Sequence, residues 1–441
     1  MSRCNLFLIC LVIPACLLTW VARDRSGLGR QFAAVVRQVD RRYIESVDAG
    51  QLFKAAMNGL FASLDVNSRY VDAATYLDWS DTRGPTAAGI GVEIATVESP
   101  SGVVVVAPVP DGPACQAGLI AGDRILTING QPVGDLSLQR VAEKLRGPEG
   151  TSLRLEVVTP PETNSRAVTI SRQPLSVASI QGDRRLADGR WDWWLEGEPG
   201  IAMIRVKRFG EGTSAEIAEV LTTLNSETPP SGLVLDLRGN PGGLFEAAVA
   251  VCDLFLHEGT IVTTNDRRQT SARQTRQATP GDLLNGAEIV VLIDDLTASA
   301  AEIVAACLQD HGRATIVGSR SYGKGSIQVL LPLPDKATAI ELTTSEYRRP
   351  SGTTIDRPAA NTANRPWGVI PDAGYALTPT REQLDRWRAW RHDRDRPTAA
   401  RGVFHQSATN ADPAATLPRH ADPVLARSLQ AFSAAMPTRE H

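Results

Sequence analysis

A serine, a lysine and a glycine-rich turn are the residues of this chain best suited to chemistry. Ser299 lies in TASAAE (297–302), after an apolar stretch and at the start of a periodic one, which predicts a helix N-terminus. Small neighbours leave room there for a substrate carbonyl. Ser299 followed by Glu302 also fits a capping box, in which the serine only caps the helix. A nucleophilic serine needs a base, because a free hydroxyl is a weak nucleophile near neutral pH.

Lys324 is the best candidate for that base. His311 at the far end of the same helix is poorly placed, whereas Lys324 lies between two glycines in YGKGSIQ (322–328). A lysine acts as a base only when it is neutral, and burial away from other charges favours the neutral amine. Gln328 could orient the amine without adding charge. A surface lysine or a phosphate-binding loop is the alternative, although the spacer and first glycine of the phosphate-loop motif are missing.

The turn GNPGG (239–243) can supply backbone N–H groups to an oxyanion. A tetrahedral intermediate needs two donors, and the N–H of Ala300, next to the serine, is the natural partner of Gly242 or Gly243. A tight turn that leads into a helix would explain the same residues structurally.

The elements that must position these residues alternate between buried strands and amphipathic helices from about residue 198. Strands are predicted over 201–206, 232–237, 288–294 and 315–318, and helices over 213–225, 244–256 and 299–310. This alternation predicts an α/β core with a largely parallel sheet. Such sheets carry their chemistry at the carboxyl ends of the strands, where all three segments fall.

The segment 86–175 resembles a PDZ domain of the kind found in bacterial proteases. It combines GIGV (Gly89, Ile90, Gly91, Val92), AGL (117–119), GDRILTING (122–130) and a helix whose apolar face carries Leu138, Val141 and Leu145. The glycine loop can direct backbone N–H groups at a terminal carboxylate. The peptide would then add as a strand whose side chains meet the apolar face of that helix.

The two ends of the chain carry no catalytic motif. Residues 6–22 form an apolar run flanked by Arg3 and Arg23, which fits an export signal or a membrane span. Bulky Trp20 disfavours signal cleavage, so we expect an uncleaved membrane anchor over 1–25, with the rest on the extracytoplasmic, periplasmic side. A helical N-terminal segment should follow over 28–85, the peptidase-like core over 180–380, and an Arg/Pro/Ala-rich tail over 381–441. The tail is expected to be a solvated helix running into disorder, with contact to a partner or a membrane surface as the alternative.

Composition excludes several classes of function. Of the 441 residues, 46 are Lys or Arg and 49 are Asp or Glu, and a net charge of −3 offers no basic excess for nucleic acid. The six cysteines form no CxxC pair, and we expect Cys115, Cys252 and Cys307 to be small buried hydrophobic residues. The histidines form no HExxH, so no metal site is predicted.

Taken in order, the motifs resemble those of the carboxy-terminal processing proteases, also called tail-specific proteases. The resemblance covers about residues 30–375 and rests on these segments: VDAGQLFKAAMNGLFASLD (47–65), the PDZ segment, GIAMIRVKRF (200–209), DLRGNPGG (236–243), TASAAEI (297–303), YGKGSIQ (322–328) and WGVIPD (367–372). It implies that Ser299 is the nucleophile, Lys324 the general base and Gln328 the third member of the arrangement. It also implies oxyanion donors at Gly242 or Gly243 and at Ala300. The chain departs from the family at Thr297 and Ala301, where serine is usual, and in LDVNS (64–68), but no reacting group is lost.

The resemblance implies an extracytoplasmic serine endopeptidase that recognises proteins by an unstructured, non-polar C-terminal tail and cleaves near it. It implies no metal or nucleotide cofactor, and it leaves self-association into a homo-oligomer open. A non-catalytic PDZ scaffold that binds protein C-termini is the main alternative. A hydrolase of small esters is the third reading, but the PDZ domain would then have no purpose.

Overall fold

The computed structural model describes residues 27–73, 75–76, 88–98, 101–109, 112–134, 136–160, 162–174, 178–186, 188–266, 274–335, 337–357, 366–396 and 422–435. The chain divides into two units, and the smaller one combines the N-terminal segment with Val329–Leu342. The predicted anchor over 1–25 lies outside the described residues. No helix among those residues has the length and apolar character that crossing a membrane requires.

The described part of the smaller unit begins with two helices, in agreement with the helical N-terminal segment expected over 28–85. These are α1 (Gly27–Arg42) and α2 (Ala49–Ala62), followed by the short strand β1 (Arg69–Val71). Asp48 caps α2, because its carboxylate accepts a 2.8 Å hydrogen bond from the N–H of Gly50. β1 pairs antiparallel with residues 339–341 of the same unit.

The larger unit contains the PDZ-like segment, which is built mainly of antiparallel strands. Its elements are β2 (Ala88–Gly89), β3 (Val92–Glu98), β4 (Ser101–Pro108), α3 (Pro113–Gln116), β5 (Arg124–Ile128), β6 (Gln131–Pro132), α4 (Leu138–Leu145), β7 (Ser152–Val158), β8 (Arg166–Ser171) and β9 (Gln173–Pro174). The strand order is β3-β4-β5-β7-β8, with β6 on β5 and β2 paired with β9. The predicted helix over 138–145 is confirmed.

The α/β core follows in the same unit, except that residues 329–332 of β19 and 339–342 of β20 belong to the smaller unit. Its elements are β10 (Ile180–Gln181), β11 (Arg184–Arg185), β12 (Trp191–Asp192), β13 (Ile201–Val206), α5 (Thr213–Glu227), β14 (Gly232–Asp236), α6 (Phe245–Asp253), β15 (Thr260–Asp266), β16 (Gln274–Gln277), β17 (Glu288–Ile293), α7 (Ala300–Asp310), β18 (Ala314–Gly318), β19 (Ser326–Pro332), β20 (Ala339–Arg348), α8 (Arg381–Arg394) and α9 (Pro423–Ala435). The central sheet has the order β10-β13-β14-β17-β18, and its last four strands are parallel. The prediction of a largely parallel sheet is therefore confirmed.

Both faces of the central sheet are covered by helices. One face packs against α5, α6 and α7, which contribute Ile217, Val251 and Val304 to the larger core. The opposite face packs against α8 and α9, through Trp390 and Phe432.

The helix expected after residue 381 is present as α8, but it packs on the sheet through Trp390 instead of being solvated, and the disorder expected beyond it is wrong for α9. Parallel strands present apolar side chains on both faces, so the second face also needs a cover, and the tail supplies it. Residues 397–421 and 436–441 lie outside the described part of the chain.

The three cysteines outside the N-terminal segment differ in their surroundings. Cys252 on α6 and Cys307 on α7 are free and fully buried, as expected of small hydrophobic residues. Cys115 is exposed, which contradicts that expectation. It lies on α3, a single helical turn, where only one side can face the core.

Candidate active site

Ser299 immediately precedes α7 in an unusual backbone conformation. Its φ of 56° and ψ of −119° are rare for a residue with a side chain, and such strain persists only where the surroundings enforce it. The enforcing bonds come from the loop after β14. Thr297 Oγ1 donates to the Leu237 carbonyl at 2.9 Å, and the Ala298 N–H donates to the Asn240 carbonyl at 2.9 Å. These two hydrogen bonds hold the turn that contains Ser299 against the glycine-rich turn.

The fully buried carboxylate of Glu302 joins the serine turn to the lysine segment. Its Oε2 accepts the N–H of Ser299 and the N–H of Lys324, both at 2.8 Å. Its Oε1 accepts the Ser321 hydroxyl at 2.5 Å and the Gly323 N–H at 2.7 Å. Burial raises the pKa of Glu302, and the four hydrogen bonds only partly offset this. The capping contact considered for Glu302 is present, and the same carboxylate also holds the lysine loop.

The glycines beside Lys324 allow close packing of the loop, as the sequence predicts. A β-carbon at Gly323 would lie 2.7 Å from Trp367 Cε3, and one at Gly325 would lie 2.5 Å from the Asp356 backbone nitrogen. Lys324 itself is half-buried. Its segment thus has little freedom to move away from the serine turn.

Tyr347 on β20 contacts both segments and is a residue that sequence reasoning missed. Its buried hydroxyl donates to the Lys324 carbonyl, and its N–H donates to the Gly325 carbonyl at 2.9 Å. Burial and the charge of Glu302 raise the pKa of the Tyr347 phenol, while hydrogen bonding with the Ser299 side chain lowers it in part. No local sequence signal distinguishes this tyrosine from other strand aromatics.

Gln328 is held at the start of β19 by two hydroxyl groups. Its Nε2 donates to Ser326 Oγ at 2.9 Å and to Thr343 Oγ1 at 3.1 Å. The amide oxygen is therefore the atom that would accept a hydrogen bond from the Lys324 amine. The role predicted for Gln328 stays a prediction.

The two glycines predicted as oxyanion donors differ in the structure. The Gly242 N–H donates to Asn240 Oδ1 at 2.8 Å and is thus already engaged. Gly243 forms a parallel bridge with Phe209, in which the Phe209 N–H donates to the Gly242 carbonyl and the Leu244 N–H donates to the Phe209 carbonyl. The Gly243 N–H therefore points away from Phe209. A β-carbon at Gly242 would lie 2.8 Å from Ser299 Cβ and 3.0 Å from the Ala300 nitrogen. Gly242 therefore provides space, and Gly243 is the better donor candidate.

Ala300 is the other predicted donor, and it occupies the first position of α7. An N–H in the first turn of a helix has no partner within the helix. The Ala300 N–H therefore remains a candidate for an oxyanion, on the side that Gly242 keeps open.

The residues predicted to bind a peptide in the PDZ domain are only partly accessible. Ile90, Val141 and Leu145 are almost fully buried in the domain's own core. Leu138 is half-buried at the edge of that core, as are Val92 and its neighbour Ile94 on β3. Of the side chains predicted to bind a peptide, Leu138 and Val92 therefore keep accessible surface, whereas Ile90, Val141 and Leu145 do not.

Comparison with known proteins identifies the chain. Two family models match it, one described as peptidase family S41 over residues 200–374 and one described as a PDZ domain over residues 104–159. The carboxy-terminal-processing protease of Bartonella bacilliformis is 36% identical over 328 residues, which cover 74% of this chain and 72% of that protein. The chain belongs to peptidase family S41.

Further relatives place it among the C-terminal processing serine proteases of that family. The carboxyl-terminal-processing protease of Synechocystis is 33% identical over 320 residues, covering 72% of this chain and 69% of that protein. The solved photosystem II D1 C-terminal processing protease is 27% identical, with a TM-score of 0.43 over 79% of this chain and 92% of that chain. The identities to the two carboxy-terminal-processing proteases of Bartonella bacilliformis and Synechocystis confirm the family suggested by the motif order.

Proposed function

We propose that this S41 protease is a Ser–Lys endopeptidase that cleaves exported or membrane proteins near a non-polar C-terminal tail. The observation that carries the proposal is the Glu302 carboxylate, which binds the N–H groups of Ser299 and Lys324 at 2.8 Å each. One buried group thereby fixes both segments on which the two reacting side chains stand.

Acylation requires a proton acceptor for the Ser299 hydroxyl. In the proposed step, Ser299 Oγ attacks the scissile carbonyl while neutral Lys324 takes its proton. Negative charge develops on the carbonyl oxygen, which the N–H groups of Gly243 and Ala300 would stabilise. The lysine then returns the proton to the leaving amine, and a water molecule hydrolyses the acyl-enzyme by the reverse sequence. Gln328 would accept from the amine through its amide oxygen.

Substrate selection is assigned to the PDZ domain. The Gly89–Val92 loop would take the terminal carboxylate on its N–H groups, and the tail would add beside β3, where Leu138 and Ile94 offer partly buried apolar surface. This arrangement selects for a free, unstructured and apolar C-terminus. Location on the periplasmic side of a membrane is part of the proposal and rests on the apolar run at 6–22. Mass spectrometry of the mature N-terminus tests it, and removal of that run would contradict the anchor.

The mechanism is tested with an unfolded reporter protein that ends in an apolar tail. Ser299→Ala and Lys324→Ala should each abolish cleavage, while Ser226→Ala and Lys207→Ala, at exposed positions, should leave it unchanged. Because only a neutral amine accepts a proton, cleavage should rise with pH. Retained turnover in either site variant would refute the dyad. Binding of the tail without any cleavage by the unmodified protein would favour the scaffold alternative.

A further inference from the structure

Arg238, the residue just before the glycine-rich turn, is buried between the central sheet and the C-terminal helices. Its Nε and Nη2 donate to the two carboxylate oxygens of Asp236 at 2.9 and 2.7 Å. Its Nη1 and Nη2 donate to the two oxygens of Asp422 at 2.9 and 2.8 Å. The ring of Trp387 on α8 lies 4.6 Å from the guanidinium carbon. Two carboxylates and an aromatic ring thus fix the orientation of Arg238.

Asp422 immediately precedes α9 and caps its N-terminus. Its Oδ1 accepts the N–H groups of Val424 and Leu425 at 3.1 and 3.0 Å. The same carboxylate therefore caps α9 and grips Arg238. Farther along α9, Phe432 packs on Gly232 so closely that a β-carbon there would lie 2.5 Å from its ring. The helix and its cap therefore contact both ends of β14. Phe432 contacts Gly232, the first residue of the strand, and Asp422 binds Arg238, just after the last residue of the strand.

The held end of β14 leads directly into the turn beside Ser299. The Gly239 N–H donates to Asp294 Oδ1 at 2.9 Å, and the Asn240 carbonyl accepts the Ala298 N–H at 2.9 Å. Asn240 Oδ1 then fixes the Gly242 N–H. A shift of Arg238 would therefore be passed on to Gly242 and Gly243 through consecutive backbone bonds.

We propose that Asp422 is a positioning residue for catalysis, which through Arg238 sets the place of the oxyanion turn. The C-terminal helix α9 then belongs to the catalytic apparatus although it touches no substrate. This inference rests on the proposed function, because it assumes that Gly243 donates to the oxyanion. The two carboxylates have separate roles. Asp236 binds Arg238 from the end of the same strand, and Asp422 links Arg238 to α9.

Asp422→Asn separates catalysis from folding. Asparagine caps helices as well as aspartate does, so α9 keeps its N-terminal bonds. Arg238 then faces one carboxylate instead of two, because Asp236 remains charged. We expect kcat to fall about tenfold, since small displacements of catalytic groups have effects of at least this size, with KM nearly unchanged. The inhibition constant of a peptidyl boronic acid, whose tetrahedral adduct places a hydroxyl in the oxyanion site, should rise by the same factor.

The matched control is Asp385→Asn, which removes a carboxylate from an exposed ion pair on α8. Kinetics are compared at a temperature at which circular dichroism shows every variant folded. Arg238→Lys keeps the charge but loses the planar fork, and it serves as the second variant should Asp422→Asn fail to fold; the same loss of kcat is expected. Unchanged kcat and boronate affinity in a folded variant overturn the inference, including the case in which only the melting temperature falls.

Gly242→Ala, measured in parallel, distinguishes failure of this inference from failure of the proposed function. The added methyl group would lie against Ser299 and the Ala300 nitrogen. Full activity in Gly242→Ala would refute the oxyanion turn and with it both proposals. An inactive Gly242→Ala beside a fully active Asp422→Asn would refute the positioning role alone.

Discussion

Replacement of Glu302 by glutamine should weaken the site in a way that the four donors around the carboxylate determine. Glutamine offers one oxygen acceptor and one NH₂ donor group. Of the four donors, only the Ser321 hydroxyl can also accept, so the NH₂ group should turn toward Ser321 and Gly323. The oxygen then keeps the N–H groups of Ser299 and Lys324. The Gly323 N–H, which adjoins Lys324, is then left buried without a partner, and the Ser321 hydroxyl proton loses its acceptor as well.

The expected cost is that of two buried donors without an acceptor, about 2–6 kcal/mol, together with the weakening of the other bonds by loss of charge. About 1.4 kcal/mol of this cost appearing in the transition state would lower kcat tenfold. Glu302→Ala leaves all four donors unsatisfied, and about 4–12 kcal/mol would match the whole stability of a typical domain. We therefore expect Glu302→Gln to be folded and slower, and Glu302→Ala to be unfolded.

The pH dependence of stability provides a second measurement on the same variant. Burial raises the folded-state pKa of Glu302 above its ordinary value of 4.5, so the folded chain takes up this proton at a higher pH than the unfolded chain. The charged form therefore costs stability at neutral pH, and the cost disappears as pH falls through the raised pKa toward 4.5. Relative to Glu302→Gln, which cannot titrate, the unmodified protein should gain stability over that window.

Urea unfolding between pH 7 and pH 4.5, with kcat measured on the folded proteins, tests this reasoning. Glu219→Gln, at an exposed position on α5, is the control for a change between carboxylate and amide. A folded and fully active Glu302→Ala, or a Gln variant with unchanged kcat and unfolding free energy, would refute the account of this carboxylate.

Three further predictions concern other parts of the molecule. Tyr347→Phe should lower kcat about tenfold while leaving KM unchanged, because the Lys324 carbonyl loses its hydrogen-bond donor and the Ser299 side chain loses its contact with the phenol hydroxyl. A kcat equal to that of the unmodified protein would exclude a role for this hydroxyl. Phe432→Ala should reduce the unfolding free energy, measured by urea titration, by about 3–5 kcal/mol, because it leaves a cavity between α9 and the sheet. A loss below about 1 kcal/mol would show that α9 does not pack on the sheet. Leu138→Ser should raise KM for an apolar-tailed reporter without changing kcat, whereas Gln139→Ser, at the exposed neighbouring position, should change neither. Equal KM values in the two variants and the unmodified protein would show that Leu138 does not contact the tail.

The alternation of strands and helices was readable from the sequence because each element carries its own periodicity. The strand over 201–206 and the helix over 138–145 have the predicted bounds, and the motif order identified the family. Ser299 and Lys324 were also found from local signals, a small-residue turn before a helix and a lysine between glycines. Such patterns depend on neighbours in the chain, so the sequence by itself determined them.

The tertiary structure decided which of these residues meet and which atoms remain available. The Gly242 N–H is engaged by Asn240, and Val141 and Leu145 point into their own domain. The helix predicted to be solvated packs on the sheet as α8, and part of the tail predicted to be disordered forms α9. Each outcome depends on contacts that the folded chain creates, as where Arg238 meets Asp422, 184 positions away. The periodicity of a helix shows that one face is apolar but not what will cover it. Burial and long-range hydrogen bonds therefore become visible only when the layers are assembled.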